Sequence, residues 1–207
     1  MKQLELPTTI RTARIDELPY SDSLAERIQK RHSAKIIEGY TFHENPSTEL
    51  PFKFYCEINI DNSKLWTLFN VFLFTFPDTV SFIFGHSDDE PIYSTYMDKL
   101  DFFNKLNQFK LELTQDGFIE FGVIYHDEEL FIEIFVDKTK YIKYWGTDYE
   151  TFNNIMQEFE LIKIDDLNFI DEFPLATQAL TELIPNAAPT LDLIDKLKNE
   201  FTNKVCS

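Results

Sequence analysis

The chain has 207 residues and a formal charge of −17, from 19 basic against 36 acidic side chains. A field of that sign repels DNA and RNA over most of the surface, which excludes a general nucleic-acid binder. Hydrophobic residues make up 43% and include 21 Phe, 9 Tyr and 2 Trp, too much apolar surface for a disordered acidic chain to leave in water, so a packed core is expected.

The charge is uneven along the chain. Residues 1–40 carry seven bases and six acids, which leaves a net −18 on the rest. Ser23-Leu24-Ala25-Glu26 has the form of a capping box and opens a basic helix running to about Lys35. Glu44 to Pro51, with Asn45-Pro46-Ser47-Thr48 inside it, reads as a connector. The expected organisation is a basic helical arm over 1–45 and an acidic α+β core domain over 46–207.

Phe52, Phe54, Cys56, Ile58 and Ile60 alternate along one strand face. Asp61-Asn62-Ser63 can then cap a helix through Leu65, Trp66, Leu68 and Phe69. Thr79 to Phe84, β-branched and aromatic, reads as a second buried strand that Gly85-His86-Ser87-Asp88-Asp89-Glu90-Pro91 ends. After a helix near Tyr96–Leu106, alternation broken by short turns predicts a four-strand meander: Phe109–Leu113, Ile119–Tyr125, Leu130–Val136 and Tyr141–Trp145. Thr147-Asp148-Tyr149-Glu150 reads as a second capping box before a helix whose face is Phe152, Ile155, Met156 and Phe159. The end reads as helical, with a short helix from about Pro174 to Leu183 and a longer one after Pro189, its face Leu191, Ile194, Leu197, Phe201 and Val205. The fold class is therefore α+β: a mainly antiparallel sheet, the meander plus one or two further strands, packed with helices and closed by a helical C-terminus.

Cys56 and Cys206 form neither a disulfide framework nor a metal spacing. The start lacks an apolar leader, and the run Leu65–Phe76 is too short and too interrupted to span a bilayer, so a cytoplasmic location and no membrane contact are expected. With five glycines the chain offers no phosphate cradle, and Gly85-His86-Ser87-Asp88-Asp89 has an acid where a serine-hydrolase elbow needs its second glycine. His32, His43, His86 and His126 stand apart from one another. Only folding could join His86 and His126 with nearby carboxylates into a hard-cation site, the basis of an alternative reading as a metal-assisted hydrolase. The main reading expects no cofactor, no metal and no catalytic residues.

What recurs instead is acid beside aromatic. The candidate partner-binding residues are Asp88, Asp89, Glu90, Asp127, Glu128, Glu129, Tyr144, Trp145, Asp148, Asp171 and Glu172, a composition suited to facing Arg or Lys. The stretch YWGTDYETFNNIMQEFELIKIDDLNFIDEFP, residues 144 to 174, resembles the immunity proteins of bacterial polymorphic toxin systems. The resemblance implies a non-catalytic protein, monomer or weak homodimer, that binds and neutralises a basic toxin domain. A further alternative is a scaffold that self-associates through the basic helix and the acidic face of another copy.

Overall fold

Alternating apolar residues are used in period 2 by an antiparallel sheet with one face fully buried and the other covered in part. The computed structural model describes residues 2–18, 22–31, 33–47 and 49–202, the side chains of Ile15, Asp22, Ser23 and Ala25 excepted. In chain order its elements are β1 (Ile10–Thr12), α1 (Asp22–Arg31), β2 (Gly39–Glu44), β3 (Phe54–Asn59), α2 (Asn62–Leu73), β4 (Thr79–His86), β5 (Ile92–Tyr93) and β6 (Met97–Asp98). Then follow α3 (Lys99–Leu106), α4 (Lys110–Gln115), β7 (Ile119–His126), β8 (Phe131–Val136), β9 (Ile142–Gly146), α5 (Tyr149–Glu158), β10 (Leu175–Thr177), α6 (Leu180–Leu183) and α7 (Thr190–Phe201). The main sheet runs β2-β3-β9-β8-β7-β4-β5, with β6 also on β4, and every strand pair in it is antiparallel. β1 and β10 form a separate antiparallel pair.

One face of the sheet carries the core. Phe54, Cys56 and Ile58, Val80, Phe82 and Phe84, Ile119, Phe121 and Val123, Ile132, Ile134 and Val136, and Ile142 with Tyr144 all point to it. Leu65, Phe69 and Phe72 of α2, Phe102 of α3, Phe152 and Met156 of α5 and Leu197 and Phe201 of α7 close over them. Each such side chain taken fully out of water contributes roughly 1.5–3 kcal/mol, so this layer supplies most of the drive to fold. No helix among the described residues is long and apolar enough to cross a membrane.

The α+β class and the antiparallel sheet agree with the sequence reading, as does α2. Three elements differ. Residues 107–115 are helical rather than the first strand of a meander, because Leu106, Phe109 and Leu113 recur at helical spacing and pack inward while Leu111 stays exposed. The Pro174–Leu183 segment opens as β10, whose backbone pairs with β1, and only Leu180–Leu183 is helical. On α7 the buried face is Leu193, Ile194, Leu197 and Phe201, with Leu191 turned to solvent; Val205 lies outside the described residues, as do the Ser23 side chain of the first expected capping box, His32 and Cys206.

Residue 45 does not divide the chain spatially. β2 pairs with β3 over six residues, so segment 39–44 belongs to the same sheet as β3 and β9. Upstream of it, the Leu4 N–H donates to the Ile36 carbonyl at 3.1 Å and the Glu5 N–H donates to the Asp61 carboxylate at 2.8 Å. The basic helix α1 rests on the acidic turn Ile170–Glu172, where the Arg27 guanidinium donates to the Glu172 carbonyl at 2.8 and 3.1 Å.

Candidate functional site

The side chains that alternate away from the core form the second face of the sheet, and its two ends differ. At the lower end the strap of residues 164–177 lies across it. Tyr141 packs on Leu167 and Phe169, with ring centroids of Tyr141 and Phe169 4.7 Å apart, and the Asn59 amide donates to the Asn168 carbonyl at 2.9 Å. Under the strap, Lys143 pairs with Asp137 at 3.0 Å and sits 5.1 Å from the Tyr141 ring centroid. The Tyr141 hydroxyl donates to Asp171. Burial and then the Asp137 charge push both the Glu120 and Asp171 carboxyls up. Lys140, at the β8–β9 turn, is fully enclosed: its ammonium donates to the Ile119 carbonyl at 2.6 Å, and burial pulls it down to about 8 against the opposing pull of Asp116, Asp137 and Glu120.

The upper part of the same face is built differently. Register places Tyr55, Trp145, Glu133 and Ile124 side by side across β3, β9, β8 and β7. Directly opposed residues of this kind hold their Cβ atoms about 4.5–5.5 Å apart. Along β8, Phe131 and Phe135 flank Glu133 at two residues on either side and therefore share its face. The Tyr55 and Trp145 rings meet at 4.8 Å, His43 continues the row 6.1 Å from Tyr55, and Phe131 touches Phe52 and His126. Gly122 is what lets Phe135 lie over β7, since a Cβ there would come 2.5 Å from the Ile134 carbonyl oxygen and 3.0 Å from the Phe135 ring.

Glu133 thus stands as one acid in a ring of apolar and aromatic side chains. Among the described residues it has neither a hydrogen-bond donor nor a paired cation, and burial alone pushes its carboxyl up to about 7. Burial followed by the Glu133 charge also raises the hydroxyl of Tyr93, which stands exposed on β5. Trp145, Glu133, Phe131 and Phe135 remain half-buried, held by their neighbours in the sheet.

The residues expected to bind a partner fall in several places. Asp88, Asp89 and Glu90 are exposed in the β4–β5 turn, and Asp88 and Asp171 line one cleft of about 340 Å³ with Ser87, Lys138 and Thr139. Asp127, Glu128 and Glu129 occupy the β7–β8 turn at the far end of β7, about 24 Å away along that strand. The three acid clusters therefore do not meet on one face: Asp88 and Asp171 share a cleft, and the Asp127–Glu129 turn lies apart from it. Asp127 is committed to its turn: it accepts the N–H groups of Glu129 and Leu130 and the Tyr125 hydroxyl, which in that order hold its carboxyl below the usual range. Glu172 likewise accepts the Phe169 N–H at 2.7 Å and the Asn168 amide at 3.1 Å. Asp148 caps α5 by accepting the Thr151 N–H at 3.0 Å and its hydroxyl at 2.6 Å, so the cap lies one residue after the expected Thr147.

Tyr144 is not a surface residue. It points into the core between Phe72 and Phe152, because even-numbered positions of β9 face the helices, and with Asp148 it lines a cleft of about 510 Å³ beside Thr75, Leu130 and Thr151. Trp145, its neighbour in sequence, faces the other way. His86 and His126 oppose the two ends of β7, His86 against Ile119 at its start and His126 as its last residue. His86 stacks on Phe118 and accepts the Asp88 N–H, and among the described residues no group of three or more His, Cys, Asp or Glu is placed to hold a metal ion. Glu133 itself escaped sequence reading because Phe131-Ile132-Glu133-Ile134-Phe135 shows only that it alternates with core residues; that it stands opposite Trp145 is a matter of register. The chain matches no family model, no curated protein and no solved structure.

Proposed function

We propose that this chain is a non-catalytic binding protein of the immunity type, which neutralises a bacterial toxin domain by docking on it in the cytoplasm. The observation that carries the reading is the unpaired, half-buried Glu133 within an aromatic patch on the sheet face opposite the helices that close the core. A lone desolvated carboxylate is a cost to the free protein, and such costs concentrate where a ligand relieves them. The surrounding Trp and Tyr side chains supply contact area at low entropy cost, as binding anchors do. A chain of charge −17 is also drawn at long range toward a basic surface, such as the substrate groove of a nuclease.

The test is co-expression in bacteria with any toxin domain encoded in a neighbouring reading frame, followed by size-exclusion chromatography of the purified pair. Restored growth and a comigrating complex are expected. Unaltered toxicity together with two separate peaks would overturn the reading.

A further inference from the structure

We infer that Glu133 is the seat of an arginine side chain from the protein partner, with the guanidinium stacked on Trp145 and paired with the carboxylate. This rests on the binding reading above and names what the surface recognises. The first support is electrostatic. Glu133 has no cation of its own among the described residues: of the two basic side chains diagonal to it, Lys143 is held by Asp137 at 3.0 Å and faces the Tyr141 ring, and His126 packs edge-on against Phe131. The position is therefore complementary to a charge that has to come from elsewhere.

The second support is the shape and chemistry of the surround. Trp145 stands opposite Glu133 on one side and Ile124 on the other, while Phe131 and Phe135 close the two ends along β8. An ammonium would have to shed a tightly held hydration shell to enter such a ring. A guanidinium is planar and more weakly hydrated, stacks on an indole and offers two parallel N–H groups to one carboxylate. The face thus favours arginine over lysine. Tyr93, whose hydroxyl already senses the Glu133 charge, stands exposed on β5 as a further contact.

The experiment is a titration of the isotope-labelled full chain with a hexa-arginine peptide at low salt, followed by NMR. The expected result is saturable movement of the Trp145 indole and of the Glu133 and Ile124 amides. Glu133→Gln should weaken binding at least tenfold, and a hexa-lysine peptide should bind at least threefold more weakly than hexa-arginine. Asp192→Asn, which removes the same charge from an exposed position on α7, should change the affinity less than twofold. Equal losses from the two substitutions, or movements confined to the Asp88–Glu90 and Asp127–Glu129 turns, would overturn the seat. A melting curve of Glu133→Gln establishes that the variant is folded before its affinity is read. Binding at Glu133 with no rescue from the toxin sinks the functional reading and leaves the seat standing; rescue that Glu133→Gln leaves intact, with unchanged peptide affinity, does the reverse.

Discussion

A carboxyl that titrates near 7 in the folded state and near 4.5 in the unfolded chain binds more protons when folded across that interval. Stability that Glu133 contributes when protonated is therefore fully present below about 4.5 and is lost as pH rises through about 7. Replacing it with Gln removes this loss: at pH 8 the variant should be more stable than the native chain by about 1–3 kcal/mol, and at pH 4 nearly equal to it. Chemical denaturation at the two pH values reads the difference directly. Glu120 and Asp171, raised in the same direction, remain in both proteins and cancel in the comparison. Of the candidate residues, what was legible is the exposure of Asp88–Glu90 and Asp127–Glu129, because turn chemistry marks it. Tyr144 was misplaced for want of strand parity: one position along β9 separates a core ring from a surface one.

Elements whose ends are written in side-chain chemistry were the most legible. Asp61-Asn62-Ser63 does open α2, although the Asp61 carboxylate serves the Lys2 ammonium and the Glu5 N–H rather than the helix cap. Asp148 does make its cap, and Asp148→Ala should lower stability by about 1 kcal/mol in thermal or denaturant unfolding while leaving hexa-arginine affinity unchanged. Residues 107–115 were misread because Phe109, Leu111 and Leu113 satisfy a two-residue period, while the deeper anchors Leu106 and Leu113 satisfy a helical one. Local pattern alone does not choose between the two; burial under the α2 side of the sheet does. β10 was invisible for a related reason, since three residues acquire a strand identity only when β1 arrives beside them.

At the scale of the molecule, the charge asymmetry was read correctly and the spatial division drawn from it was not. The basic first 40 residues are woven into the acidic remainder through β2, through the Leu4 and Glu5 backbone and through Arg27 on the Glu172 carbonyl. A chain beginning at residue 45 should therefore expose the long edge of β3, whose unpaired N–H and C=O groups invite pairing with another copy. Light scattering of that truncation should report large aggregates where the full chain gives none; a stable monomer would restore the arm as a separable unit.

The two faces of the sheet also answer to different constraints. In β3, β8 and β9 the even-numbered side chains fill the core, and in β7 the odd-numbered ones do, whereas β4 is buried on both faces through Ser81 and Ile83. Between Tyr55 and Ile124 the intervening positions carry almost none of that burden. Their chemistry is free to drift toward a new partner, one side chain at a time, while the body beneath keeps its shape.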